Sequence, residues 1–272
     1  DEEDAVKKLA VKEKMLHQAK NYASASGNLV RVISRIDESV ISGVLRVSKE
    51  LDTTDILMGW NRKTRFFDKV IFGSVVDRLL ESNSDSVYLT RILRPLGLMK
   101  RILVVVPKHA EHEFGFPSWV RKIKNLSKKI KASVHFFGPE VTLLKIKEEL
   151  AKKKDIEIAA TFQEFRFWNK FKDFAKETDE NDLVVVVSAR KGSVSFSSFL
   201  EHIPEILSKN FNHRGFLIVY PAQDKERDSY SLSAIGELVG GLGLKPFHKV
   251  KEKAGKLWGF LSGKKDPPHL SE

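Results

Sequence analysis

The order apolar strand, loop, helix, apolar strand occurs twice along the chain, and this repetition constrains the fold more than any other feature. The first passage runs from Asp55 to Ile92 (DILMGW, then FGSVVDRLLES, then SVYLTRI), the second from Asp182 to Tyr220. Repeated units of one kind bury their apolar faces by one architecture. The second passage follows a full set of strand and helix patterns and the first does not. The first unit is therefore expected to be an incomplete copy, lacking its opening strands, within a longer polypeptide.

Strand and helix patterns alternate on either side of these passages. Asp4 to Ala25 has apolar residues at three- and four-residue steps after an acidic start and reads as an amphipathic helix. Leu29 to Ile33 (LVRVI) reads as a short strand, and Asp37 as the cap of a helix through Leu51. Asp55 to Met58 is a strand ending at Gly59. A loop with Arg62, Lys63 and Arg65 leads to Gly73-Ser74, which open a helix Val75 to Glu81, and Ser86 to Ile92 closes the unit as a strand.

A linker from Arg94 to Lys100 holds Pro95 and Gly97, and a second unit begins with the β-branched strand Arg101 to Val106. Helices are expected at Trp119 to Ile130, Glu140 to Lys153, Trp168 to Glu177 and Ser198 to Leu207. Strands are expected at Ser133 to Phe137, Ile156 to Phe162, Leu183 to Val187 and Phe216 to Tyr220. Helices of this length supply the crossovers that parallel strands need. The expectation is an α/β chain with a doubly wound parallel sheet formed twice, over residues 1–93 and 101–221. The two units would join through their sheets or edge strands in a pseudo-twofold arrangement. Residues 222–272 form a basic tail in which Phe247, Val250, Leu257, Trp258, Phe260 and Leu261 interleave with lysines. Such a tail either packs as a terminal helix on its own domain or meets anionic lipid or a partner.

Composition narrows the function. A chain of 272 residues with 42% hydrophobic content can bury two cores of ordinary domain size. No apolar run reaches the ~18 residues of a membrane span, and the absence of cysteine removes disulfides, thiol nucleophiles and thiolate metal sites. The net charge of +11 lies largely on helical stretches such as RKIKNLSKKIK, where lysines face solvent; without a helix-turn-helix or aromatic-basic strand pattern, no nucleic-acid partner is expected. His109, Glu111, His112 and Glu113 (HAEHE) have metal-ligating side chains but sit in a short connection after a strand, so they read as loop surface and no metal is assigned. Ser74 and Ser193 lack the setting of a nucleophile elbow, and no enzymatic activity is expected.

In open parallel sheets, loops rich in Gly and Ser at the carboxyl ends of strands put N–H groups against a ligand's phosphates. Gly59, Asn61, Gly73 and Ser74 in the first unit, and Ser188, Arg190, Lys191, Gly192 and Ser193 in the second, are the candidate ligand-binding residues. A strand ending DILMGW, a loop and GSVVDRLLESNSDSVYLT resemble the universal stress protein domain. Its nucleotide-binding members carry Gly-x-x-Gly, a spacer, and Gly-Ser or Gly-Thr before a helix and a last strand. Gly59 matches the first glycine and Gly73-Ser74 the last pair. Arg62 stands at the second glycine, the spacer is one residue longer, and SARKGSVSFSSF in the second unit is a degenerate form.

Tandem degenerate units with the phrases DILMGWN, KRILVVVP and DLVVVVSARKGSVSF are similar to the cytoplasmic C-terminal region of bacterial cation/proton antiporters of the monovalent cation/proton antiporter-2 family. That resemblance implies two Rossmann-like domains at the cytoplasmic face of the inner membrane, regulating a transmembrane Na+(K+)/H+ antiporter of the same polypeptide. It also implies a homodimer, with ATP, AMP or a cyclic dinucleotide as the candidate ligand. A soluble nucleotide-binding stress protein is the alternative.

Overall fold

The computed structural model describes residues 2–60, 71–152, 157–165 and 168–224, with the backbone alone for residues 2–10, 12, 71–74 and 169. Asn61, the basic residues 62, 63 and 65 and the tail from residue 225 lie outside the described residues.

Helices α1 (Glu2–Ala25) and α2 (Val40–Leu51) precede β1 (Asp55–Gly59), followed by α3 (Ile71–Ser82) and β2 (Ser86–Arg91). Then come β3 (Arg101–Val105), α4 (Phe116–Ile130), β4 (Ser133–Gly138), α5 (Glu140–Ala151) and β5 (Ala160–Glu164). The chain continues through a short α6 (Phe171–Phe174), β6 (Asp182–Val187), α7 (Ile203–Asn210) and β7 (Gly215–Tyr220).

Several elements depart from the pattern expected of them. Leu29 to Ile33 forms no strand: among the described residues no neighbouring strand pairs with it, and Leu29, Val30 and Val32 are exposed. The cap of α2 is Ser39 rather than Asp37. Its hydroxyl accepts the Ser42 N–H while the Ser42 hydroxyl accepts the Ser39 N–H, a reciprocal box, and Asp37 instead pairs with Arg46 at 3.0 Å. The stretch Trp168 to Glu177 breaks into three single turns, and Ser198–His202 is a 3-10 turn ahead of α7. There Pro204 sits in the first turn, where its missing N–H has no helical partner to lose.

The strands form one sheet, not two. Its order is β1-β2-β7-β6-β3-β4-β5, parallel throughout except where β2 meets β7 antiparallel. That seam runs from Val87↔Tyr220 to Arg91↔Phe216 with Leu89↔Ile218 at its centre. Residues 55–59 pair with 86–90 on one side, and 183–187 with 215–219 on the other. The two strand pairs are thus in the same register, Gly59 standing where Val187 stands. The bond from Trp60 N–H to Thr90 O has its counterpart in the bond from Ser188 N–H to Val219 O.

Each face of the sheet carries its own core. One packs Leu103, Val105, Val184, Val186, Phe216 and Ile218 under α2, α3, α6 and α7. The other packs Ile102, Val104, Val185 and Val187 against Phe116, Trp119, Val120 and Ile123 of α4 and Leu143 and Ile146 of α5. β6 is buried along its whole length, so its unbroken valine run suits a strand covered on both faces.

Candidate functional site

From β3 the strand order runs outward in both directions, through β4 and β5 on one side and β6 and β7 on the other. Ligands of open α/β sheets bind at such a reversal, outside the carboxyl ends of the strands. Two loops meet there: residues 106–115 after β3 and residues 188–197 after β6.

The two loops are tied to each other. Glu113 Oε1 accepts the Ser195 N–H at 3.0 Å and the Ser195 hydroxyl at 2.5 Å. The Gly115 N–H donates to Ala222 O at 3.0 Å, and a Cβ on Gly115 would lie 2.5 Å from Ala222 N, so only glycine fits at this crossing. These contacts join the two loops at the carboxyl ends of β3 and β6.

Arg190 lies 5% exposed inside this arrangement. Its guanidinium donates to Leu80 O at 2.6 Å, to Asn83 O and to Asp85 O, with a longer contact from Nε to Pro221 O at 3.4 Å. The first two carbonyls belong to the end of α3 and the turn after it, and the third precedes β2. Arg190 therefore caps the carboxyl end of α3 from the far side of the seam, and its planar fork suits several carbonyls at once.

The other expected ligand residues are placed as follows. Ser188 continues β6 and is buried. Ser193 turns back on the loop, its N–H and hydroxyl both donating to Arg190 O. Gly192 has φ +85°, a left-handed turn with nothing within 4 Å of a Cβ position. Lys191 is exposed and paired with Glu201 at 3.0 Å; the hydrogen bond to that carboxylate, then its charge, raises the Lys191 pKa. Burial raises the pKa of Asp77 on α3, with Lys191 acting against it. Tyr220 beneath the loop is pushed up to about 12 by burial. Gly73 and Ser74 do not precede α3 but lie inside its first turn, and Gly59 ends β1 with no atom of the described residues within 4 Å of a Cβ position. The structure thus brings Ser188 to Ser193 together as one internally bonded loop.

The ties through Glu113, Ser195 and Gly115 were not read from the sequence. FGFP carries the available sign, a glycine two residues before the proline in the first turn of α4. The HAEHE segment lies in the short connection between β3 and α4, as expected, but it is wound into a turn there. His109 takes φ 67° and a 3-10 turn follows at Ala110–His112, which draws donor atoms of His109, Glu111 and His112 within 4.8 Å of one another.

The fold has solved counterparts. A universal stress protein from Archaeoglobus fulgidus DSM 4304 matches with TM-score 0.50 and 18% identity over 81% of this chain and 80% of that one. A protein of unknown function from Pseudomonas aeruginosa PAO1 matches with TM-score 0.52 and 13% identity over 77% and 78%. A protein described as a universal stress protein from Pseudomonas aeruginosa UCBPP-PA14 matches with TM-score 0.50 and 11% identity over the same shares. No protein-family model and no curated protein sequence matches the chain. The protein has a universal stress protein-like, Rossmann-type fold.

Proposed function

We propose that this chain is a regulatory module built from two tandem universal stress protein-like domains, attached to a cation/proton antiporter at the cytoplasmic face of the membrane. The observation that carries this reading is Arg190. Where a nucleotide-binding loop would direct donors at phosphate, this guanidinium is directed at backbone carbonyls across the seam. A loop so used suits a module that transmits position better than one that performs chemistry. The symmetric register about Leu89↔Ile218 supports a pseudo-twofold joining of the two units. The phrases DILMGWN and SARKGSVS support the antiporter assignment.

Among the described residues no helix is long and apolar enough to cross a membrane, so the membrane part would be another segment of the polypeptide. A nucleotide or other anionic ligand would meet the exposed edge of the loop at Lys191, Gly192 and Ser193. Two measurements test the reading. An antibody to this chain should find it in a membrane fraction that resists alkaline carbonate. Calorimetry on the purified chain with ATP, AMP and a cyclic dinucleotide tests the ligand. Recovery in the supernatant together with tight ATP binding would replace this reading with a soluble nucleotide-binding protein.

A further inference from the structure

We infer that the turn after β3 is a binding site for a divalent transition-metal ion of the zinc, cobalt and nickel class, with His109, Glu111 and His112 as its ligands. Their donor atoms already lie within 4.8 Å of one another. His112 Nε2 and Glu111 Oε1 are 3.6 Å apart. Two donors at ordinary zinc distances on a tetrahedral ion sit about 3.4 Å apart, so this pair stands at nearly the bound spacing. The His109 imidazole would be the third ligand, its donor atom within 4.8 Å of the other two.

The carboxylate is oriented by its surroundings. The Glu111 side chain is only 5% exposed, and its Oε2 accepts the hydroxyl of Thr142 on α5 at 2.6 Å, which leaves Oε1 facing His112. A hydroxyl that fixes the non-ligating oxygen is the usual support of a ligating carboxylate. His112, 63% exposed on its side chain, borders a cleft of about 250 Å³ lined also by Glu111, Phe116, Glu148 and Glu149, which gives an ion a path to these two ligands. Lys145 and Lys152 border the same cleft, but each pairs with a glutamate there, at 2.8 and 2.5 Å, so their charge is offset. Two imidazoles and one carboxylate suit a borderline ion; calcium and magnesium prefer all-oxygen cages.

The site acts on the loop described above. Glu113 follows His112 directly and holds Ser195. A metal that fixes the His109–His112 turn therefore also fixes the lock between the two loops.

The test uses the whole chain with Zn2+ by calorimetry and Co2+ by visible absorption. One ion per chain should bind, Co2+ should show the bands of a four- or five-coordinate site, and saturating Zn2+ should raise the unfolding temperature. His112→Ala, which removes a largely exposed side chain, and His109→Asn, which tolerates positive φ, should each weaken binding at least tenfold. Thr142→Val should weaken it about tenfold, as loss of an outer-shell partner does, and His213→Ala should change nothing. No binding by the folded chain at millimolar metal, or stoichiometric binding that survives both histidine substitutions, overturns the inference. Neither result depends on membrane attachment or nucleotide binding.

Discussion

The strand pair β1–β2 and the strand pair β6–β7 share a register about one seam, yet their surroundings differ. β6 has β3 on its other side and is buried at all six positions, whereas β1 pairs only with β2 among the described residues and leaves Leu57 69% exposed. The clamps at the two helix ends differ as well. Arg190 crosses the seam to the end of α3, while Arg91, at the end of β2, donates to Phe211 O and Arg214 O beyond α7 and lies over the Phe216 ring at 4.4 Å. Each half closes the last helix of the other with a guanidinium drawn from a different place in the chain. The seam and Arg190 thus join the half with fewer neighbours to the rest of the sheet, beside the core that α2 and α3 share with α7.

Removal of Arg190 should break this arrangement most. Arg190→Ala leaves carbonyls of residues 80, 83 and 85 short of a donor in a buried setting, an expected loss of about 3 kcal/mol in urea unfolding. Arg190→Lys should recover less than half of that, because an ammonium cannot span the carbonyls as a planar fork does. Equal stability of the two variants would show that charge, not the fork, holds the seam. Arg91→Ala comes next at about 2 kcal/mol, from its carbonyl partners and its ring contact. If the halves are coupled as described, hydrogen exchange should quicken in α3 for the first variant and in α7 for the second. Exchange that changes alike in both helices would refute the crossed clamps.

A third comparison sets strand against strand. Val186→Ala in β6 should cost about 2 kcal/mol through lost burial and the cavity left behind. Leu57→Ala in β1 should stay within about 0.5 kcal/mol. A large loss at Leu57 would mean that something covers the outer side of β1 in solution.

How far the sequence foretold this depended on whether an element's period was set by its own neighbours. Unbroken apolar runs such as Leu183 to Val187 and helical stretches such as Glu140 to Lys153, observed as Glu140–Ala151, were legible, because burial on two faces or one leaves a direct mark on residue type. Leu29 to Ile33 is rich in β-branched residues as a strand would be, but among the described residues no strand lies beside it to accept its hydrogen bonds. The single sheet was hidden for a related reason. Val87, Leu89, Ile218 and Val219 are apolar whether β2 and β7 end two sheets or join one, and nothing in residue type distinguishes the two. In the site, the basic SARKGS loop was visible, but the direction of Arg190 was not. Its partners are backbone carbonyls about a hundred residues away, which carry no side-chain signature. HAEHE was visible too, and only the positive φ of His109 gathers its donors.

The smallest expected effect lies where the sparser half touches α4. Asp55, on the outer strand β1, pairs with Lys122, whose ammonium also lies 5.5 Å from the centre of the Tyr88 ring. Burial works to raise the Asp55 pKa, but the hydrogen bonds from Lys122 and Thr54 and the charge of Lys122 prevail, and the folded value lies below the ordinary one. A depressed carboxyl pKa stabilises the fold fully above the unfolded value of about 3.9. The stabilisation is lost as pH falls through the folded value. The pair is well exposed to solvent, so its contribution is about 0.5 kcal/mol and shrinks with added salt. Asp55→Asn should therefore lower stability slightly at pH 7 and hardly at all at pH 3, with the difference fading in 1 M salt. A difference that grows on acidification would mean that burial of the carboxylate outweighs its partners, and that β1 is held against α4 by packing alone.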